Sequence, residues 1–293
     1  MNAYRHRLPG VPEWGRCGVM GIVNVTPDSF SDGGLRLDAD RAVAHGLALV
    51  GHGADIVDVG GESTRPGAVR ITREEELRRV LPVVRGLAEE GVLVSVDTMR
   101  ADVAEAAVGA GARIINDVSG GRADPGMVKV AARTGVPYVV MHWRGQSAGM
   151  DGLATYGDMV REVVGEMERQ METMIAGGID PAQLIVDPGL GFAKSRAGDW
   201  ALLAGLDAWH HLGHPVLVAA SRKRFLGTLP ADPAMGEPCP PRAGDAATAA
   251  VSAIAASQGA WAVRVHKVRA TADAVRVEAA LRTVEATGSR SVR

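Results

Sequence analysis

One repeated pairing limits what this chain can fold into: a glycine, then a short apolar run that ends in a polar residue. Gly53, Gly91, Gly111, Gly135, Gly178, Gly213 and Gly259 each stand just before such a run. The runs are Ile56–Val59, Leu93–Val96, Ile114–Ile115, Tyr138–Met141, Leu184–Val186, Val216–Ala219 and Ala262–Val265, and Val19–Val25 precedes them all. They are rich in β-branched residues and barely alternate, as parallel strands covered on both faces do. Between them lie helical patterns such as Asp38–Gly51, Arg73–Glu89, Ala101–Ala110 and Tyr156–Ala176. A glycine after a helix ends it in the left-handed conformation at low steric cost. Seven such stops and one initial strand make eight β/α units. The expected fold is therefore α/β, a single-domain TIM (β/α)8 barrel of about 250 residues. A doubly wound open sheet is the other architecture for alternating units, but it has no use for eight evenly marked ones. The expected boundaries are an N-terminal extension over 1–16, the barrel over 17–287 and a polar tail over 288–293.

Local signals refine this outline. Thr72-Arg-Glu-Glu75 reads as a capping box opening a helix. Asp124-Pro125 reads as an N-cap with proline at the first helical position. Two loops break the regularity, Arg144–Thr155 and the proline-rich Leu229–Arg242. The chain is 46% hydrophobic, enough for a full core, and its net charge of −2 argues against a general nucleic-acid surface. Two cysteines, Cys17 and Cys239, build no disulfide or metal framework. No apolar run is long enough to span a bilayer, and Met1–Arg16 lacks the apolar stretch of a signal peptide. A cytoplasmic setting without membrane or nucleic-acid partners is expected.

In a barrel the loops after the strands gather on one face, and the site is built there. Each strand end here delivers a polar group: Asn24, Asp58, Asp97, Asn116 with Asp117, His142, Asp187, Ser221-Arg222-Lys223, and Arg264 with His266. A single aspartate after a strand is often only a helix cap. All eight being caps is a poor account, because arginine, lysine and histidine cap N-termini badly. The richest stretch is Asp187-Pro-Gly-Leu-Gly-Phe-Ala-Lys194, where Gly189 and Gly191 would let backbone approach a ligand closely. Asp97, Asn116 and Asp187 suit a flat ligand bearing N–H donors. Arg65, Lys223, Arg264 and His266 suit phosphate oxygens. A polar heteroaromatic head with a phosphate tail fits both sets.

These residues carry a family resemblance. Gly21-Ile-Val-Asn-Val-Thr-Pro-Asp-Ser-Phe-Ser-Asp-Gly-Gly34 and Asp58-Val-Gly-Gly-Glu-Ser-Thr-Arg-Pro-Gly67 resemble the two signatures of dihydropteroate synthase. Ser95-Val-Asp-Thr98, Asn116-Asp-Val-Ser-Gly120, Met141-His142, Asp187-Pro-Gly-Leu-Gly-Phe192, Ser221-Arg-Lys223 and Arg264-Val-His266 follow in the family's order. The resemblance implies condensation of 7,8-dihydropterin-6-ylmethyl diphosphate with p-aminobenzoate, giving 7,8-dihydropteroate and diphosphate with Mg²⁺. It assigns Asp97, Asn116, Met141, Asp187 and Lys223 to the pterin. It assigns Asn24, Thr64, Arg65, Arg264 and His266 to the diphosphate, with Asn24 also at the metal. Phe30, Pro66, Phe192 and Ser221 would form the p-aminobenzoate pocket, the target of sulfonamides. Asp97, Asp187, Lys223 and Arg65 would carry catalysis through a dissociative step. Asp28 and Asp32 would help complete the site when the first loop closes. A homodimer is implied as well.

One position departs from the family pattern: Lys267 stands where an acidic residue is common. Two other functions compete. A pterin-dependent methyltransferase would use Asp and Asn at equivalent strand ends, but needs neither the Thr-Pro-Asp-Ser-Phe-Ser-Asp loop nor Ser-Arg-Lys. An inactive pterin-binding paralogue would show erosion of the first or second loop, and neither is eroded here.

Overall fold

The computed structural model describes residues 7–26, 34–63, 70–145, 154–228 and 244–288. Its eight strands are β1 (Gly18–Asn24), β2 (Ile56–Gly60), β3 (Val94–Asp97), β4 (Ile114–Asp117), β5 (Tyr138–Met141), β6 (Leu184–Asp187), β7 (Leu217–Val218) and β8 (Ala262–Val265). Every pairing is parallel, in the order β6-β5-β4-β3-β2-β1-β8-β7. A further bridge joins Val186 to Val216 and brings the two edge strands together into a barrel. The helices between them are α1 (Gly34–Gly51), α2 (Arg73–Glu89), α3 (Ala101–Gly109), α4 (Met127–Thr134), α5 (Met159–Ala176), α6 (Arg196–Ala204), α7 (Leu206–His210), α8 (Asp245–Ser257) and α9 (Val268–Gly288).

All seven stop glycines have positive φ, from 68° at Gly135 to 117° at Gly111. An L-residue with a Cβ would lose about 1–2 kcal/mol at each such position. The glycines therefore explain why each helix yields to the next strand where it does.

Side-chain alternation divides the core into two parts. Met20, Ile56, Ile114, Val139, Ile185, Leu217 and Ala262 point inward and fill the barrel with Trp261 and Leu8. Their strand neighbours, such as Val19, Val57, Ile115 and Val186, point outward and pack under the helices. The stretch before β1 seals the lower end. Leu8 joins the inner cluster, the Trp14 ring lies 5.8 Å from that of Trp261, and Arg16 grips Asp55 at 2.7 and 2.8 Å. With that end filled by apolar groups, polar chemistry is confined to the other.

Two capping expectations need correction. Thr72 does cap α2 by accepting from the Glu75 N–H, but Glu75 does not return the bond. Its carboxylate is taken by Arg78 and Arg79 instead. Asp124 does not open α4 at the following proline, because that helix starts at Met127. One Asp124 oxygen accepts from Gly126 N–H at 2.8 Å, and the other from Ala101 N–H at 2.8 Å. The carboxylate thus caps α3, a helix 23 residues earlier in the chain.

The stop-glycine account is checked most sharply at Gly111. A Cβ there would meet the Ala88 Cβ at 2.5 Å, in addition to the unfavourable φ. Gly111→Ala is expected to lose about 2 kcal/mol or more in urea denaturation.

Candidate active site

The centre of the strand-end face is one guanidinium between two carboxylates. Arg264, from β8, donates to Asp58 from Nε at 2.6 Å and to Asp97 from a terminal nitrogen at 2.6 Å. Asp58 also accepts from the Asn116 amide at 3.0 Å, on the same oxygen that faces Arg264. Asp58 is fully buried, and Asp97 and Asn116 nearly so. Register puts Asp97 beside Asn116, and Asp58 one step lower beside Ser95. Burial works against the charge of Arg264, but Asp58 and Asp97 outweigh it and hold its pKa above the ordinary value. Burial dominates at Asp97 and pushes it up to about 7, with Arg264 opposing.

Among the described residues, three buried polar atoms here have no partner: Asp58 Oδ1, Asp97 Oδ1 and Ser95 Oγ. A buried polar atom left unpaired costs on the order of 1–3 kcal/mol. Asn116 gives one of its two Nδ2 hydrogens to Asp58, which leaves its carbonyl oxygen as an acceptor and its second N–H as a donor. The floor of the site is thus a set of acceptors awaiting donors.

The turn after β6 forms one wall. Asp187 accepts from Gly189 N–H at 2.7 Å, and burial raises its pKa while that bond and Lys223 oppose. Met141 is its register partner on β5 and is 2% exposed. Lys223 stands across from the turn. Its Nζ donates to the Leu190 carbonyl at 2.7 Å and lies 4.0 Å from the centre of the Phe192 ring. Burial pushes Lys223 down to about 8. Gly189 and Gly191 serve the protein's own packing, contrary to the expectation of ligand approach. A Cβ at Gly189 would meet the His142 carbonyl at 2.3 Å, and one at Gly191 the Lys223 side chain at 2.8 Å.

The remaining residues divide clearly. Ser221 accepts from the His266 N–H at 3.2 Å and pairs with His266 Nδ1 at 3.0 Å. Which of the two donates in the second contact depends on the imidazole tautomer, because the hydroxyl can accept twice. This histidine partner for Ser221 was not legible in the sequence. Arg264 and His266, expected to share one ligand, engage different partners. Asn24 ends β1, half-buried. Asp117 takes no part in the site. It faces outward, accepting from Tyr138, from Ser119 twice and from Gly121. Lys267 is exposed. Asp28, Phe30, Asp32, Thr64, Arg65 and Pro66 lie outside the described residues. The stems of the second loop are described: Arg100 bridges Glu62 at 2.9 Å, buried Glu76, and the Ile71 carbonyl at 2.5 Å.

A model of the pterin binding enzyme family matches residues 20–266. A dihydropteroate synthase of Mycobacterium leprae is 55% identical over 88% of this chain and 91% of its own length. The chain belongs to the dihydropteroate synthase family. A Xanthomonas albilineans dihydropteroate synthase solved with 4-aminobenzoic acid superposes with a TM-score of 0.82 at 46% identity, covering 91% of this chain and 93% of that one. The same organism's enzyme in complex with 7,8-dihydropteroate gives 0.80 at 43% identity, covering 91% and 94%. Among the described residues of this family member, no helix is long and apolar enough to cross a membrane.

The central ion cluster makes a pH-resolved prediction. Arg264→Met leaves two carboxylates buried without their cation and is expected to cost about 3–5 kcal/mol near pH 7. Without Arg264 the folded-state pKa of Asp97 rises further above its unfolded value, so the folded form binds the extra proton. Stability of such a group falls as pH rises. The deficit against the parent chain should therefore narrow as pH falls from above about 9 toward 7, and level off below 7, where Asp97 of the parent chain takes up its own proton, in urea denaturation; a pH-independent deficit would contradict this electrostatic origin.

Proposed function

We propose that the strand-end site joins 7,8-dihydropterin-6-ylmethyl diphosphate to p-aminobenzoate, yielding 7,8-dihydropteroate and diphosphate. Membership of the dihydropteroate synthase family makes the chain a transferase of folate biosynthesis. The observation that carries the residue assignment is the unpartnered acceptor set at Asp58 and Asp97, beside Asn116 and Asp187. A pterin ring presents the amino and N–H donors that such a floor lacks. In this reading Asp97, Asn116 and Asp187 hold the ring, Lys223 donates to its carbonyl, and Met141 packs on its face. Asn24 and the His266 ring take the diphosphate together with Thr64 and Arg65, and Arg264 adds to the cationic field from below. Phe192 and Ser221, with Phe30 and Pro66, enclose p-aminobenzoate.

Mg²⁺ suits the donor chemistry. It prefers oxygen ligands and keeps several waters while leaning on substrate phosphates. The amide oxygen of Asn24 is a donor of that kind at a half-buried strand end. Asn24 would hold the ion, which when bound supplies charge neutralisation at the leaving diphosphate.

The reaction we favour is dissociative. The methylene C–O bond breaks first, and diphosphate departs with the electron pair. Positive charge spreads from the methylene carbon into the ring. Asp97 and Asp187 lie where that charge develops and stabilise it without reorganising. The arylamine nitrogen then bonds to the methylene carbon and gives up a proton. Ser221 is spent on His266 and serves no nucleophilic step in this scheme.

The proposal extends to a homodimer and a cytoplasmic setting, the latter in keeping with the free, buried thiol of Cys17. The dimer has support in an exposed apolar stripe. Val277, Leu281 and Val284 on α9 are 61%, 62% and 67% exposed, and their helical spacing puts them on one face. The neighbouring α8 adds Ile254 at 56%. Apolar faces of this kind mark interaction surfaces.

Turnover is tested by following diphosphate release and dihydropteroate formation separately. Both are expected together and only with Mg²⁺, with loss on chelation; diphosphate release alone would overturn the p-aminobenzoate assignment. Asp187→Asn should lower kcat on the order of 100-fold while the thermal transition barely moves. Val277→Glu with Leu281→Glu should shift the chain from dimer to monomer in light scattering; an unchanged mass would remove this face from the interface.

A further inference from the structure

The turn after β6 contains a lysine to which the reaction above gives no part. Lys194 is 8% exposed, and its ammonium donates to the Gly189 carbonyl at 2.9 Å, the Phe192 carbonyl at 2.8 Å and His142 Nδ1 at 3.0 Å. Three donors meet three acceptors, so the ammonium is consumed within the chain. His142 must then carry its proton on Nε2, which donates to Glu166 at 2.9 Å. Burial pushes His142 down to about 3 and keeps it neutral. The Arg144 hydrogen bond draws Glu166 down to about 2, and Arg144 grips that carboxylate at 2.5 and 3.1 Å. The contacts run unbroken from α5 through the end of β5 into the turn.

This arrangement fixes backbone. The Gly189 carbonyl also accepts from Phe192 N–H at 3.1 Å, so a single ammonium holds the carbonyls at both ends of one tight turn. Ala193 follows in the left-handed region at φ 47°, a conformation costing a non-glycine residue about 1–2 kcal/mol. Its carbonyl accepts from the Tyr156 hydroxyl at 3.1 Å, and the Tyr156 ring lies 3.7 Å from the Arg144 guanidinium. The position of the Phe192 ring against Lys223 therefore depends on backbone that Lys194 secures. Asp187 depends on it less, because its carboxylate keeps the Gly189 N–H and its strand keeps its register.

We propose that Lys194, oriented by His142, is a positioning residue that holds Phe192 at the p-aminobenzoate side of the site. The inference rests on the assignment of Phe192 to that pocket. Lys194→Met removes all three donors: the Gly189 carbonyl keeps the Phe192 N–H, while the Phe192 carbonyl and His142 Nδ1 lose the ammonium, so the loss falls first on Phe192.

The test is steady-state kinetics on the full chain with both substrates varied, for Lys194→Met and Phe192→Ala, together with hydrogen exchange of the 188–194 segment. Lys194→Met is expected to raise the KM for p-aminobenzoate on the order of tenfold, leave that for dihydropterin diphosphate nearly unchanged, and speed exchange in 188–194 alone. An unchanged p-aminobenzoate KM in Lys194→Met, with a raised one in Phe192→Ala, would overturn the positioning role and leave the pocket intact. Unchanged values in both would overturn the pocket assignment and the proposal with it. If Lys194→Met does not fold, Lys194→Gln, which keeps donors for two acceptors, is read the same way.

Discussion

The structure depends on keeping carboxylates ionisable inside a barrel that is otherwise filled with aliphatic side chains. Burying an unpaired carboxylate costs several kcal/mol, and a neighbouring cation returns part of that. At an effective dielectric of about 20, one ion pair at about 4 Å is worth roughly 4 kcal/mol. Arg264 is shared between Asp58 and Asp97, and Lys223 faces Asp187. Three carboxyl groups against two cations leave the centre with up to one excess negative charge, its size set by how far Asp97, pushed up to about 7, is ionised. That excess costs stability by itself. In the proposed reaction it becomes useful, because the pterin brings N–H donors and develops positive charge.

The lower half of the barrel makes this possible. Leu8, Trp14 and Trp261 close one end, and the inner apolar layer fills the middle. Water is thereby excluded below the carboxylates, which raises the strength of every electrostatic contact above them. The second-loop stems are held from outside the barrel by the Glu62–Arg100–Glu76 network, and the turn after β6 by Lys194 and Tyr156. The groups that hold these loops, Glu76 on α2, Arg100 before α3 and Lys194 in the turn after β6, lie on the helices and turns around the strands.

Much of this was legible in the residues. The stop glycines marked seven of the eight strands because positive φ is a local demand that one residue type answers at low cost. The polar strand ends were legible because nothing in a parallel barrel otherwise needs them. What was not legible needed partners distant in sequence. Ile114 and Ile115 are alike on paper, yet one fills the barrel and the other the helix layer, and only that choice turns Asn116 inward and Asp117 outward. Asp124 read as a cap for the nearest helix, because its real partner at Ala101 is found only once the helices pack. Lys194 ends the richest polar stretch of the sequence, and three acceptors of the chain itself surround it. Gly189 and Gly191 read as room for a ligand, but His142 and Lys223 occupy that room.

The central claim is that the buried, unpartnered acceptors exist to receive a pterin. A crystal structure of the chain with 6-hydroxymethyl-7,8-dihydropterin tests it most directly. The account predicts the ring inside the strand-end face, its N–H groups on Asp97 Oδ1, Asn116 and Asp187, and its carbonyl on Lys223. A ring bound elsewhere, or one that leaves Asp97 and Asp187 without a donor, would contradict it.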